Sequence, residues 1–366
     1  MILSLLLLSF LSFGFSLASL PKVWFPEYFE TDPKFQADYP TWKGVVDQAF
    51  QDAVTLARVV VLTGNACDPA FLRYFQEQDY GFVQALFARI ANVRPPKNTD
   101  TPEEVLAMLQ NTNPADTLSP VWDKLLLSFL DYPKSPWDIP AGGSCNMQGV
   151  NGYLTYDGKA PREENDPARS DYPNVSGYLG MCPKAINWQT CVDLATTENP
   201  PDWARKGPGQ DFTSGWSCDG LGDRDTGDMR TIGSSLLHEM LHASSLALRQ
   251  WPELFKSNSV YSQVIDGGGQ FGPQIADYKL AGSFPDPYGP FNAAKLAKFA
   301  KNSRTGYSQA IQNADNYVWY ANSKYWSWKC KRPFGAAASE ADNQFNEFRA
   351  RGPPMYGQWN QPLPDS

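Results

Sequence analysis

Histidine is almost missing from this chain: its 366 residues contain two. That scarcity excludes any metal site built from three histidines. The six cysteines include no Cys-x-x-Cys pair, which argues against a cysteine-based zinc site. Positive charge is also scarce. The net charge is −8 and no Lys/Arg cluster exceeds a few residues, so nucleic acid and anionic membranes are not expected partners. Beyond the N-terminal stretch there is no apolar run long enough to span a bilayer. The glycine-rich segment 266–272 lacks both a Lys and a following Ser/Thr, so it reads as a turn rather than a phosphate loop. No internal repeat is present.

The two histidines that do occur are His238 and His242, with Glu239 between them. On a helix, positions i and i+4 share a face about 6 Å apart at Cβ, so both imidazoles can reach one metal ion. Glu239, one step round the helix, then lies where a carboxylate can take a proton from a metal-activated water. The pattern points to a zinc peptidase. The competing reading is a core helix whose histidines only fill hydrogen-bonding roles. A helix is expected from Thr231 to Arg249, with no proline inside it and with Ile232, Leu236, Leu237, Met240 and Leu241 as its packing residues. Asp225 and Asp228 precede it, where negative charge suits a helix N-terminus.

Residues 2–17 are almost wholly apolar or Ser, and Ser16-Leu17-Ala18 offers small residues at a cleavage spacing. This predicts a signal peptide over 1–18, with a signal anchor as the lesser alternative. A secreted, extracellular chain with an even number of cysteines predicts three disulfides, and Asn174-Val175-Ser176 is its one glycosylation acceptor. The mature chain is assigned as one domain over 19–335 and a loose tail over 336–366, rich in Ala, Gln, Asn, Gly and Pro.

The expected fold class is mainly α with some β (α+β). Val46, Phe50, Ala53, Val54, Ala57 and Val61 recur at helical spacing, as do Val83, Leu86, Phe87 and Ile90. Thr101-Pro102-Glu103-Glu104 is a capping box with proline at the first helical position. Further helices are predicted over Val121–Leu130, Pro290–Lys301 and Ser308–Lys329, and strands near Gly152–Tyr156 and Gly177–Gly180.

A catalytic zinc needs a third protein ligand. Glu253 lies only eleven residues past His242, short for a ligand on a later helix, which leaves Asp266, Asp277, Asp286 and Asp315. Asp277 ranks first because apolar neighbours flank it and an acid there needs a partner. Asp286 ranks second, with a helix cap as its simpler role. Asp266 reads as a turn residue, and Asp315 as a helical residue packed away from the metal.

His238-Glu239-x-x-His242 without a third histidine resembles the aspzincins, the deuterolysin and peptidyl-lysine metalloendopeptidase group. Tyr178-Leu179-Gly180-Met181-Cys182-Pro183 and Asn313-Ala314-Asp315-Asn316-Tyr317 resemble further segments of that family. The likeness spans roughly residues 40 to 330. It implies a zincin-like fold with a small sheet beside the metal helix, a Zn²⁺ cofactor, and an aspartate ligand from a Gly-Thr-x-Asp-x-x-Tyr-Gly motif. This chain departs from that motif. If an insertion splits it, Asp277 is the ligand and Tyr288 the family's tyrosine. If it is shortened, Asp286-Pro287-Tyr288-Gly289 supplies both.

The expectation is therefore a secreted, monomeric zinc endopeptidase acting on peptide or protein substrates. His238, His242 and Asp277 would be its ligands, Glu239 its general base, and Tyr288 (or Tyr278) the donor to the oxyanion. The alternative is a secreted zinc-binding or adhesion protein that keeps the metal site without catalysis. Lys-specific cutting is one option the resemblance raises.

Overall fold

The computed structural model describes residues 22–24, 33–111, 119–122, 125–129, 152–155, 177–181, 194, 197, 217–243, 246, 275, 277, 288–299 and 307–337. The expected leader, Asn174, Asp266, Tyr278, Asp286 and residues 338–366 lie outside them.

The elements run β1 (Lys22–Trp24), α1 (Pro33–Thr63), α2 (Pro69–Tyr74), α3 (Tyr80–Ala91), α4 (Pro102–Gln110), β2 (Leu125–Phe129), β3 (Gly152–Thr155), β4 (Gly177–Met181), β5 (Arg224–Asp225), α5 (Ile232–Leu241), α6 (Pro290–Leu296), α7 (Ala314–Cys330) and β6 (Ala336–Ala337). The described fold is mainly helical with a small sheet. One sheet has the order β1-β2-β4-β3, with β1, β2 and β4 parallel and β3 antiparallel at the edge. The second is the parallel pair β5-β6, so the first two residues of the expected tail belong to the fold.

Helix α1 is the central post of the core. The predicted stripe from Val46 to Val61 is buried, and Leu56, Val59, Val60 and Leu62 on its other faces are buried too. A stripe through Asp47, Gln51 and Thr55 reaches solvent, and α3, α5 and α7 pack on the rest. In α3, Val83, Leu86, Phe87 and Ile90 are fully buried as the spacing predicts. The α4 capping box forms, with Thr101 Oγ1 accepting from Glu104 N and Glu104 Oε2 accepting from Thr101 N.

The helix expected over Val121–Leu130 is not there. Residues 120–122 form a 3₁₀ turn and Leu125–Phe129 is strand β2, which lies between β1 and β4. β2 is flanked on both edges and packs on α1, and a run of leucines without alternation does not distinguish such a strand from a helical segment. The helix expected over Pro290–Lys301 is α6, ending at Leu296, while the one expected over Ser308–Lys329 is divided. Gln309–Gln312 is a 3₁₀ turn, Asn313 is extended (φ −106°, ψ 118°), and α7 starts at Ala314.

Cys218 and Cys330 form a disulfide that ties the segment before α5 to the end of α7. Cys67 is exposed with a free thiol, at odds with the expectation that all six cysteines pair; Cys145, Cys182 and Cys191 lie outside the described residues. No described helix is long and apolar enough to cross a membrane.

Candidate metal centre

Helix α5 carries the histidines, and its start is fixed from both sides. Thr231 caps it: its Oγ1 accepts from Ser234 N, and its own N–H donates to Ser234 Oγ. Ser234 Oγ then donates to Asn322 Oδ1 on α7 at 2.6 Å. Gly233 lets α5 press on α1, because a Cβ there would stand 2.4 Å from Asp52 Cβ and 2.8 Å from Ala53 N. The helix ends at Leu241 rather than Arg249, with His242 as its C-cap residue. Of the acids expected to serve its N-terminus, Asp225 is otherwise engaged: it accepts from Arg73 and from Tyr74 Oη, deep in the core.

His238, His242 and Asp277 come together, each offering a ligand atom within 4.8 Å of the others. This is the one such group among the described residues. The geometry fixes which nitrogens face inward. His238 Nδ1 lies 2.9 Å from Asp315 Oδ1, and His242 Nδ1 lies 2.6 Å from the carbonyl oxygen of Ile275. An Nδ1–H donated to each acceptor leaves Nε2 of both rings as a bare lone pair. Asp277 Oδ1 sits 2.9 Å from His238 Nε2 and 3.6 Å from His242 Nε2. That oxygen is buried and accepts no hydrogen bond, although it is so close to His238.

Such a convergence calls for positive charge between the atoms: a metal ion, or without one a proton on His238, whose pKa burial would lower but the Asp277 and Asp315 carboxylates hold well above its ordinary value. The donor set fits zinc. With N and O ligands at about 2.0–2.2 Å, tetrahedral neighbours stand about 3.3–3.5 Å apart, and the two observed separations fall on either side of that. Iron(II) also accepts two histidines and a carboxylate. What favours hydrolytic zinc is the next residue. Glu239 is almost fully buried beside this cluster, and burial pushes its carboxyl above the usual range against the opposing pull of both imidazoles. A buried proton acceptor beside the ligands suits a hydrolase.

Glu239 is confined by the sheet edge. At Gly152, on β3, a Cβ would approach Glu239 Cγ to 2.8 Å and Gly180 O to 3.1 Å. Only glycine leaves that space to the carboxylate side chain.

Tyr288 is near the cluster, but its hydroxyl donates to Asp277 Oδ2 at 2.8 Å. Burial first, and then the Asp277 carboxylate, keep that phenol protonated well above its ordinary pKa. Gly289, next along, has φ 89°, a value that glycine alone adopts without strain. Asp315 is not remote from the metal site, as its helical context suggested. It is 1 % exposed, and besides His238 Nδ1 it accepts at Oδ2 from Gly289 N (2.6 Å) and Trp319 Nε1 (3.1 Å). Burial alone would raise its pKa, but His238, Arg230 and the Gly289 N–H outweigh it and hold the carboxyl below the ordinary range. One signal for this role was present in the sequence: Asp315 stands just before Tyr317, Val318, Trp319 and Tyr320, and an acid beside such a run needs buried partners.

Comparison with protein-family models, with curated proteins and with solved structures finds no match for this chain.

Proposed function

We propose that this protein is a zinc-dependent endopeptidase of zincin-like architecture, secreted after removal of residues 1–18. The observation that carries the proposal is the convergence of His238 Nε2, His242 Nε2 and the unbonded Asp277 Oδ1 beside a buried Glu239. Bound there, zinc supplies Lewis acidity to the scissile carbonyl and to the attacking water. Glu239 accepts the water's proton and returns it to the leaving amine nitrogen. Asp315 and the Ile275 carbonyl hold each imidazole in the tautomer that presents Nε2. Strand β3 ends its sheet beside Glu239, so an extended peptide adding to that edge would bring its backbone to the carboxylate. Asp277 as ligand and Tyr288 as its neighbour agree with the split form of the aspzincin motif.

One observation favours the alternative of a metal-holding protein without catalysis. The Tyr288 hydroxyl is committed to Asp277 rather than open to an oxyanion. Incubating the purified protein with denatured casein separates the two readings. The peptidase reading predicts cleavage that a chelator abolishes and added Zn²⁺ restores; intact casein under all three conditions refutes it.

A further inference from the structure

Away from the metal centre, three elements meet around an open cavity of about 820 Å³. Helix α2 contributes the exposed Leu72 and its chain neighbour Arg73, whose side chain is largely buried. Helix α6 contributes Phe291, Ala294 and Lys295, spaced i, i+3 and i+4 on a single helical face, and the turn that follows it contributes Lys298. The opposite face of α6, through Ala293 and Leu296, is buried. The β5–β6 pair closes the third side with Arg224 and the run Gly335–Ala337.

The charged side chains described as lining this cavity are of one sign. Four of its described lining residues are cationic and none is acidic, in a chain whose net charge is −8. Arg73 is spent at the floor, where it pairs with Asp225 and bonds to the Phe334 carbonyl. Arg224 is half-exposed and its one described ion-pair contact, to the exposed Asp223, is long at 3.8 Å. Lys295 and Lys298 are exposed at the rim. Among these cations stands Leu72, which is 49 % exposed and one of only two exposed large hydrophobic side chains among the described residues. A rim of cations around an apolar patch is complementary to a peptide carrying carboxylates on either side of one apolar side chain.

We propose that this cavity is a docking site for an acidic, extended segment of a protein partner. Resting on the peptidase reading, that partner is the substrate, held at a distance from the bond that is cut. The connection is short in sequence: α6 begins at Pro290, directly after Tyr288 and Gly289 of the metal centre. A segment seated on the α6 face therefore tethers the rest of its chain near the metal-binding cluster and raises its local concentration there.

Fluorescence anisotropy with a labelled peptide, acetyl-Glu-Asp-Leu-Glu-Asp-amide, tests the docking on the full chain without reference to cleavage. Saturable binding is expected, weakened at least fivefold between 50 and 500 mM NaCl as screening removes the charge attraction. The double reversal Arg224→Glu with Lys298→Glu is expected to weaken binding roughly tenfold or more. Lys97→Glu, on an exposed loop elsewhere, should leave it unchanged. No binding to the wild-type chain overturns the proposal. So does equal binding by the double variant, or displacement of the peptide by millimolar inorganic phosphate, which would mark a simple anion site. If the peptide binds as described while casein stays intact with zinc, the docking site stands and the peptidase reading falls. If casein is cut and the double reversal changes nothing, the reverse holds.

Discussion

A single buried carboxylate organises the candidate metal centre. Asp315 accepts from Gly289 N and Trp319 Nε1 on one oxygen and faces His238 Nδ1 with the other. In Asp315→Asn the amide oxygen must stay with the two N–H donors, which turns the NH₂ group toward His238. The imidazole must then accept at Nδ1 and carry its proton on Nε2, where a metal cannot bind. Zinc affinity is predicted to fall about 10- to 100-fold, measured by competition with a chromophoric chelator; an unchanged affinity would refute the role. Asp277 differs because, in the proposed site, it would contribute a ligand atom itself. Asp277→Ala should leave the dialysed protein with almost no zinc, whereas Asp286→Ala should keep it; the helix cap expected of Asp286 falls instead to Gly289, the N-cap residue of α6. The opposite pattern of zinc contents would mean that the shortened motif, not the split one, supplies the ligand.

At the scale of elements, the site is a junction of helix α5 with an edge strand. Gly152 on β3 marks the contact, since any Cβ there intrudes on Glu239. Gly152→Ala is predicted to displace that side chain and to lower casein turnover by about 10-fold or more, while the thermal midpoint stays within a few degrees. Loss of the fold instead of activity would show that β3 matters only for packing. The sequence made α5 legible because its periodicity and the spacing of its two histidines agreed; α1 and α3 were legible from periodicity, and α4 from its capping box. It misled at β2, where Leu125-Leu126-Leu127 carries no period to distinguish a buried strand from a helix. Glycine's role at position 152 could not be read at all. It depends on a neighbour 87 positions away in the chain, and proximity of that kind has no local signature.

For the molecule as a whole, the site draws on segments that the core and one disulfide bring together. Cys218–Cys330 closes a loop of sequence separation 112 that contains every described residue of the metal centre. In the chain-entropy view, a closure of that length restrains the unfolded chain by about 4–5 kcal/mol. Its anchor points lie before α5 and at the end of α7, the helices that carry His238 and Asp315. Asp315 was misjudged from the sequence for the same reason: only tertiary packing of α7 on α5 shows what its carboxylate meets. In the proposed hydrolysis, Glu239 is the group that moves the proton. Glu239→Gln keeps the shape and the ligands but removes the base, so zinc content and casein turnover should be measured together on that variant. The account predicts about one zinc per chain and turnover reduced by about 10²-fold or more; wild-type turnover with zinc in place would contradict it.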